Sequence, residues 1–162
     1  MPGQSGNDVK ESRAPMRNMV TLHQPNYIPW IGLFSKISQT DCLVVMDTVQ
    51  YIKRGITHRN KIRVSTGSSY LTIPISKAFA MSKINEVELP TERIWRKDHW
   101  RCIRHNYLKT DYFQQHMAFF NDIYKEDFRF LWQLNMKIIH YLLKAFDINV
   151  EVIMVSDLGL DP

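Results

Sequence analysis

The chain has 162 residues, 44% of them hydrophobic and 12% aromatic, which is enough for a domain with its own core. No apolar run reaches the roughly 18 residues a membrane span requires, and residues 1–19 lack the apolar centre of an export signal, so the protein is expected in the cytoplasm. The formal charge of +5 excludes nothing by itself, but it favours an anionic partner.

Residues 1–18 carry Gly3, Ser5, Gly6, Asn7 and Asp8 among few apolar residues, so they are expected to form a disordered tail before a single α/β domain over 19–162. Residues 20–22 read as a buried strand and 30–38 as a short helix with Ile31, Phe34 and Ile37 on one face. Residues 43–46 read as a second strand. Strand, helix, strand predicts a right-handed crossover and a parallel pair. Residues 61–65 and 70–75 alternate around Thr66-Gly67-Ser68-Ser69, which predicts a hairpin, with Pro74 confining the second strand's end to an edge. Residues 84–89 read as a further short strand. Trp95, Ile103 and Tyr107 recur at helical spacing. Asp111 is expected to cap a helix presenting Phe113, Met117 and Phe120, and Asp127 one presenting Leu131, Leu134, Ile138 and Leu142. Residues 149–155 read as a buried strand that rejoins the sheet of residues 20–22, bringing Ser156 and Asp157 toward the loop after the first strand. The fold class predicted is α/β, a mostly parallel sheet starting with a βαβ unit, a β-hairpin insertion and a helical second half.

Ligands of open parallel sheets bind outside the carboxyl ends of the strands, which puts the stretch from Leu22 to Phe34 at the expected site. His23 is the first polar side chain there. An imidazole ordinarily titrates near neutrality, which suits a general base, a proton donor or a nucleophile; capping the helix or packing under Tyr27 is the alternative. Pro25 and Pro29 stiffen the loop, which carries Gln24, Asn26 and Tyr27 as candidate substrate contacts. Gly32 either admits a ligand to the backbone or permits close packing. Asp47 ends the second strand, where a carboxylate binds a sugar hydroxyl, an amine or Mg²⁺, or caps a turn.

The charge is concentrated in two segments. Residues 53–63 hold Lys53, Arg54, Arg59, Lys61 and Arg63 with no acid, and residues 93–109 hold six bases against Asp98 alone. Tyr51, Lys53, Arg54, Arg59, Asn60 and Lys61 form a combination suited to a planar or phosphorylated ligand, with arginine giving bidentate contacts and tyrosine a stacking face. His99 is placed to enter the same cleft, or to pack between its flanking tryptophans. His116 and His140 are expected at the surface. The histidines show no metal-ligand spacing, and Cys42 and Cys102 are expected as buried thiols. Nucleic acid is a rival partner of another class, since aromatic residues interleave with the bases, but no RNA- or DNA-binding signature accompanies them.

His23-Gln24-Pro25-Asn26-Tyr27-Ile28-Pro29-Trp30-Ile31-Gly32, Asp47-Thr48-Val49-Gln50-Tyr51, Arg59-Asn60-Lys61-Ile62, Ile73-Pro74-Ile75 and His105-Asn106-Tyr107 together resemble the bacterial WbqC-like family over about residues 19–160. The resemblance implies a role in polysaccharide or O-antigen biosynthesis. There it implies acyl or aminoacyl transfer to an amino sugar, with a sugar phosphate or nucleotide-sugar as anionic substrate and an acyl donor. It also implies a longer chain: family members continue past a Ser-Asp-Leu-Gly segment into a stretch with a Tyr-Leu-Ser-Gly motif, so this sequence is expected to be a short relative or a fragment. The strand, histidine loop and helix also resemble the HIGH-type nucleotidyltransferases, which implies ATP and activation of an acid, although the second histidine of that motif is absent.

Overall fold

The computed structural model describes residues 19–159, so the tail expected over residues 1–18 lies outside it. The chain begins with β1 (Val20–His23), α1 (Ile31–Ile37) and β2 (Cys42–Val45). β1 and β2 pair in parallel, Val20 opposite Cys42 and His23 opposite Val45. The last strand, β5 (Glu151–Met154), joins the other side of β2, also in parallel, so the order is β1-β2-β5. Residues 149–155 therefore rejoin the expected sheet beside β2, as a shorter strand that is partly exposed rather than buried.

Side chains alternate across these strands. Thr21, Leu43 and Val45 are buried, whereas Val20 and Leu22 are more than half exposed. Against Leu43 and Val45 pack Leu33, Phe34 and Ile37 of α1 with Met136, Ile139 and Leu143 of α4 (Leu131–Ala145). His23, Val45 and Met154 lie in register and mark the carboxyl edge of the sheet.

The hairpin is β3 (Arg59–Val64) and β4 (Gly67–Thr72), paired from Arg59 opposite Thr72 to Val64 opposite Gly67. Its turn is Ser65-Thr66, tighter than the expected loop of residues 66–69. Gly67 has φ 125, which L side chains rarely adopt, and that freedom lets pairing resume immediately after the turn. Pro74 falls beyond the paired residues.

The second half is helical: α2 (Ile94–Tyr107), α3 (Phe113–Ile123) and α4. A second core joins Trp95 and Ile103 of α2, Phe113 and Ile123 of α3, and Leu131, Leu134 and Ile138 of α4 to the hairpin residues Ile62 and Leu71. Three local expectations are corrected. Residues 84–89 form no strand: Ile84 and Val87 are fully buried three residues apart, the period of the 3₁₀ turn Ile84–Glu86, followed by a lone bridge from Glu88 to Phe130. Asp111 does not cap α3, which starts after Tyr112 without a side-chain cap, once Thr110 has turned back onto the Tyr107 carbonyl. Asp127 does not cap α4 either. It pairs with Arg93 and Arg96 at 2.5 and 3.7 Å, while the Phe130 N–H that opens α4 donates to Gln133 Oε1 at 3.0 Å.

Candidate functional site

His23 closes β1 and is half-buried. Its Nδ1 lies 2.9 Å from the Gln24 carbonyl, an acceptor, so Nδ1 carries a proton, and in the neutral ring it is Nε2 that holds the lone pair. Asn26 Nδ2 approaches the same nitrogen at 3.4 Å; two donors cannot share a bond, so this pair is a contact.

The five residues that follow are clamped onto residues 56–60. Asn135, fully buried in α4, donates through one amide nitrogen to the carbonyls of Pro25 (2.7 Å) and Thr57 (2.8 Å). Tyr27 N–H donates to the Ile56 carbonyl at 3.4 Å, Thr57 Oγ1 to Gln24 Oε1 at 3.4 Å, and the Asn60 amide to the Ile28 carbonyl. Each such bond contributes about 1 kcal/mol net. Together with two prolines they define the loop's shape before any ligand arrives.

That shape includes strain. Ile28 has φ 43, a left-handed conformation that costs a β-branched residue about 1–2 kcal/mol. Arg54, in the segment that meets the loop, has φ 76. The Asn60 bond to the Ile28 carbonyl helps hold the first of these in place.

Beneath the loop, Tyr27 is fully buried, its hydroxyl bonded to His99 Nδ1 (2.8 Å) and to the Tyr124 hydroxyl. His99 Nε2 lies 3.2 Å from the Thr72 carbonyl. One proton order satisfies every group: Tyr124 donates to Tyr27, Tyr27 to His99 Nδ1, and His99 Nε2–H to Thr72. Burial depresses the His99 pKa to about 4, only partly offset by the Thr72 bond, so the ring is neutral. Burial also holds the Tyr27 and Tyr124 phenols well above their ordinary range. His99 therefore reaches the loop only through Tyr27.

Asp47 is 1% exposed. Its Oδ1 accepts the Ser156 N–H at 3.1 Å and its Oδ2 the Asn85 amide at 3.5 Å, tying the end of β2 to the turn after β5. Ser156 thus meets Asp47 through its backbone, and Asp157 is exposed. Among the described residues no lysine or arginine pairs with Asp47.

The basic segment divides. Lys53 and Arg54 are exposed. Arg59 donates to the Arg54 carbonyl at 2.5 Å and lies 4.8 Å from the Tyr70 ring centre, with Lys61 at 5.2 Å from the same ring. Tyr51 is buried edge-on to His58, its phenol pushed up to about 12 by burial. The stacking face beside the arginines therefore belongs to Tyr70. Burial and the nearby Arg59 charge lower the His58 pKa. At Gly32 a Cβ would meet the ring of the exposed Trp30 at 1.7 Å.

The structure therefore gathers His23, Gln24, Asn26 and Asn60 around one loop, and Asp47 with Ser156 at the sheet's edge. Tyr27 and His99 lie below, as supports. Thr57, His58, Asn85, Tyr70 and Asn135 complete the arrangement and were missed in the sequence. Asn135 carried a signal, being the amide inside the apolar stripe of α4. Asn26 Oδ1, His58 Nδ1, Arg59 Nε and Asn135 Oδ1 are buried without a hydrogen-bond partner, as are Asn85 Oδ1, Trp95 Nε1 and Arg96 Nε elsewhere. Such atoms cost about 1–3 kcal/mol each. His116, expected at the surface, is half-buried against Tyr141 at 2.7 Å, whereas His140 is exposed. Among the described residues no group of three or more His, Cys, Asp or Glu could hold a metal, and no helix is long and apolar enough to cross a membrane.

The model of the WbqC-like protein family matches residues 24–162, which takes in the loop, the hairpin and all the helices. Uncharacterized protein Rv1507c of Mycobacterium tuberculosis is 36% identical over 109 residues, covering 67% of this chain and 47% of its own length. The chain thus spans about half the length of that curated relative. No solved structure matches it.

Proposed function

The chain belongs to the WbqC-like protein family, and from that premise we propose that it is a cytoplasmic group-transfer protein acting on an amino sugar in glycan assembly. The sugar is carried as a sugar phosphate or nucleotide-sugar. The observation that carries the reading is His23: a half-buried histidine at the carboxyl edge of a parallel sheet, its Nδ1 proton spent on Gln24 and its Nε2 left as a base.

In this reading Nε2 takes the proton from the sugar's amine or hydroxyl as that atom bonds to the donor's acyl carbon, then passes it to the leaving group. Gln24 contacts the sugar, and the buried Asn26 helps shape the loop. Lys53, Arg54, Arg59 and Lys61 balance the phosphate charge, and Tyr70, already faced by Arg59 and Lys61, offers the base a stacking surface. Asp47, with both oxygens engaged, acts by holding the strand ends together.

Thermal-shift screening tests the reading. A rise in melting temperature with UDP-N-acetylglucosamine or a related amino-sugar nucleotide is expected. A rise only with ATP plus an acid supports the nucleotidyltransferase-like alternative. A rise only with oligonucleotides, falling steeply with salt, replaces both with nucleic-acid binding.

A further inference from the structure

Ile28 of the loop forms part of an apolar pocket of about 290 Å3, walled by Ile62, Ile103, Phe113 and Phe120. We propose that this pocket binds a compact apolar carboxylic acid, or the acyl group derived from one.

Three observations carry the assignment. The first is size and lining: the volume lies at the small end of the roughly 300–1,000 Å3 typical of ligand pockets, which combine apolar walls with a few polar groups. The second is the chemistry of those polar groups. The Tyr107 hydroxyl, on the pocket lining, accepts the Arg63 N–H at 3.0 Å, so its own proton remains to be donated. His116, also on the lining, bonds through Nδ1 to the Tyr141 hydroxyl at 2.7 Å. In the tautomer where the Tyr141 hydroxyl donates to Nδ1, His116 keeps an Nε2–H. The Tyr107 hydroxyl and that His116 tautomer put donors on a mainly apolar lining that also includes Thr110 and Tyr112, which suits a carboxylate or an acyl oxygen. No aspartate or glutamate lines the pocket.

The third observation is Ile28 itself. A turn at φ 43 is made most cheaply by glycine or asparagine. An isoleucine there accepts strain and contributes a pocket wall in return. The same residue's carbonyl is held by Asn60, so an occupant that presses on the Ile28 side chain acts on the clamped loop that carries His23. As an acid-binding site the pocket stands on this geometry. As the donor's seat in the transfer it rests on the function proposed above, to which it adds the class of the transferred group.

The test is calorimetric titration of the protein with octanoate and, as a control of equal chain length and opposite charge, octylammonium. Octanoate is expected to bind and octylammonium to bind at least about tenfold more weakly. Thr110→Trp, placed at an exposed position on the pocket rim, should weaken octanoate at least about tenfold with the melting temperature unchanged. His116→Leu should erode the preference for octanoate over octylammonium. Absence of octanoate binding, equal binding of the two probes, or indifference to Thr110→Trp overturns the proposal. The amino-sugar nucleotide is titrated in parallel. If it still binds when octanoate does not, the pocket assignment fails alone; if octanoate binds and the nucleotide does not, the pocket stands and the sugar reading fails.

Discussion

His23 leads into the loop that His99 supports through Tyr27, and the two rings are in opposite states. His99 is 6% exposed, both ring nitrogens are engaged, and it carries its proton on Nε2. His23 is half-buried, one nitrogen is engaged, and it carries its proton on Nδ1. The difference separates support from chemistry: a histidine whose nitrogens are both committed to buried partners holds a loop in place, and one with a free nitrogen at a strand end can exchange a proton with a ligand.

The sharpest way to break this division is to remove the clamp on the His23 side. Asn135→Ala leaves the Pro25 and Thr57 carbonyls buried without donors and opens a small cavity, so chemical denaturation should register a loss of about 3–5 kcal/mol. The His99 side answers to pH. Its folded pKa of about 4 lies below the ordinary 6.5, so between those values the unfolded chain binds more protons. Stability is then complete above about pH 6.5 and falls by up to about 3 kcal/mol as pH drops toward 4. His58, lowered in the same direction, adds to the slope. His99→Gln should flatten the profile in urea melts between those pH values. Tyr27→Phe strips His99 Nδ1 of its donor and Tyr124 of its acceptor, an expected cost of about 1–3 kcal/mol.

How far the sequence reached follows the range of the interaction involved. β1, α1 and β2 were legible as elements because an apolar run, a stiff loop and an amphipathic turn are local patterns, and a parallel pair follows from their order. Their burial was not: Val20, Leu22 and Ile31 are exposed, and Leu33 joins Phe34 and Ile37 on the buried face. Residues 84–89 were misread because one period was ambiguous over so short a run: Ile84 and Val87 fit a 3₁₀ turn as well as they fit irregular alternation. Asp127 was a plausible cap until Arg93, 34 residues earlier in the chain, claimed its carboxylate. The same limit applied to the site. His23 and the loop residues stood out locally, but the roles of Tyr27 and His99 depend on a bond across 72 residues, and Asn135 reaches Pro25 across 110.

Smaller effects test the basic segment. Tyr70→Ala removes the ring beneath Arg59 and Lys61, with an expected stability loss of at most about 1 kcal/mol at this exposed position. Its larger consequence should be weaker nucleotide-sugar affinity, by about tenfold in calorimetry, without a matching change in octanoate binding.

The division itself is tested by two-dimensional ¹H–¹⁵N spectra of the histidine rings, recorded with and without saturating UDP-N-acetylglucosamine. His23 should show the Nδ1–H tautomer and His99 the Nε2–H tautomer, and the ligand should shift the His23 ring while leaving His99 in place. A His23 ring protonated on Nε2, or one that ignores a bound ligand while His99 responds, would contradict the account.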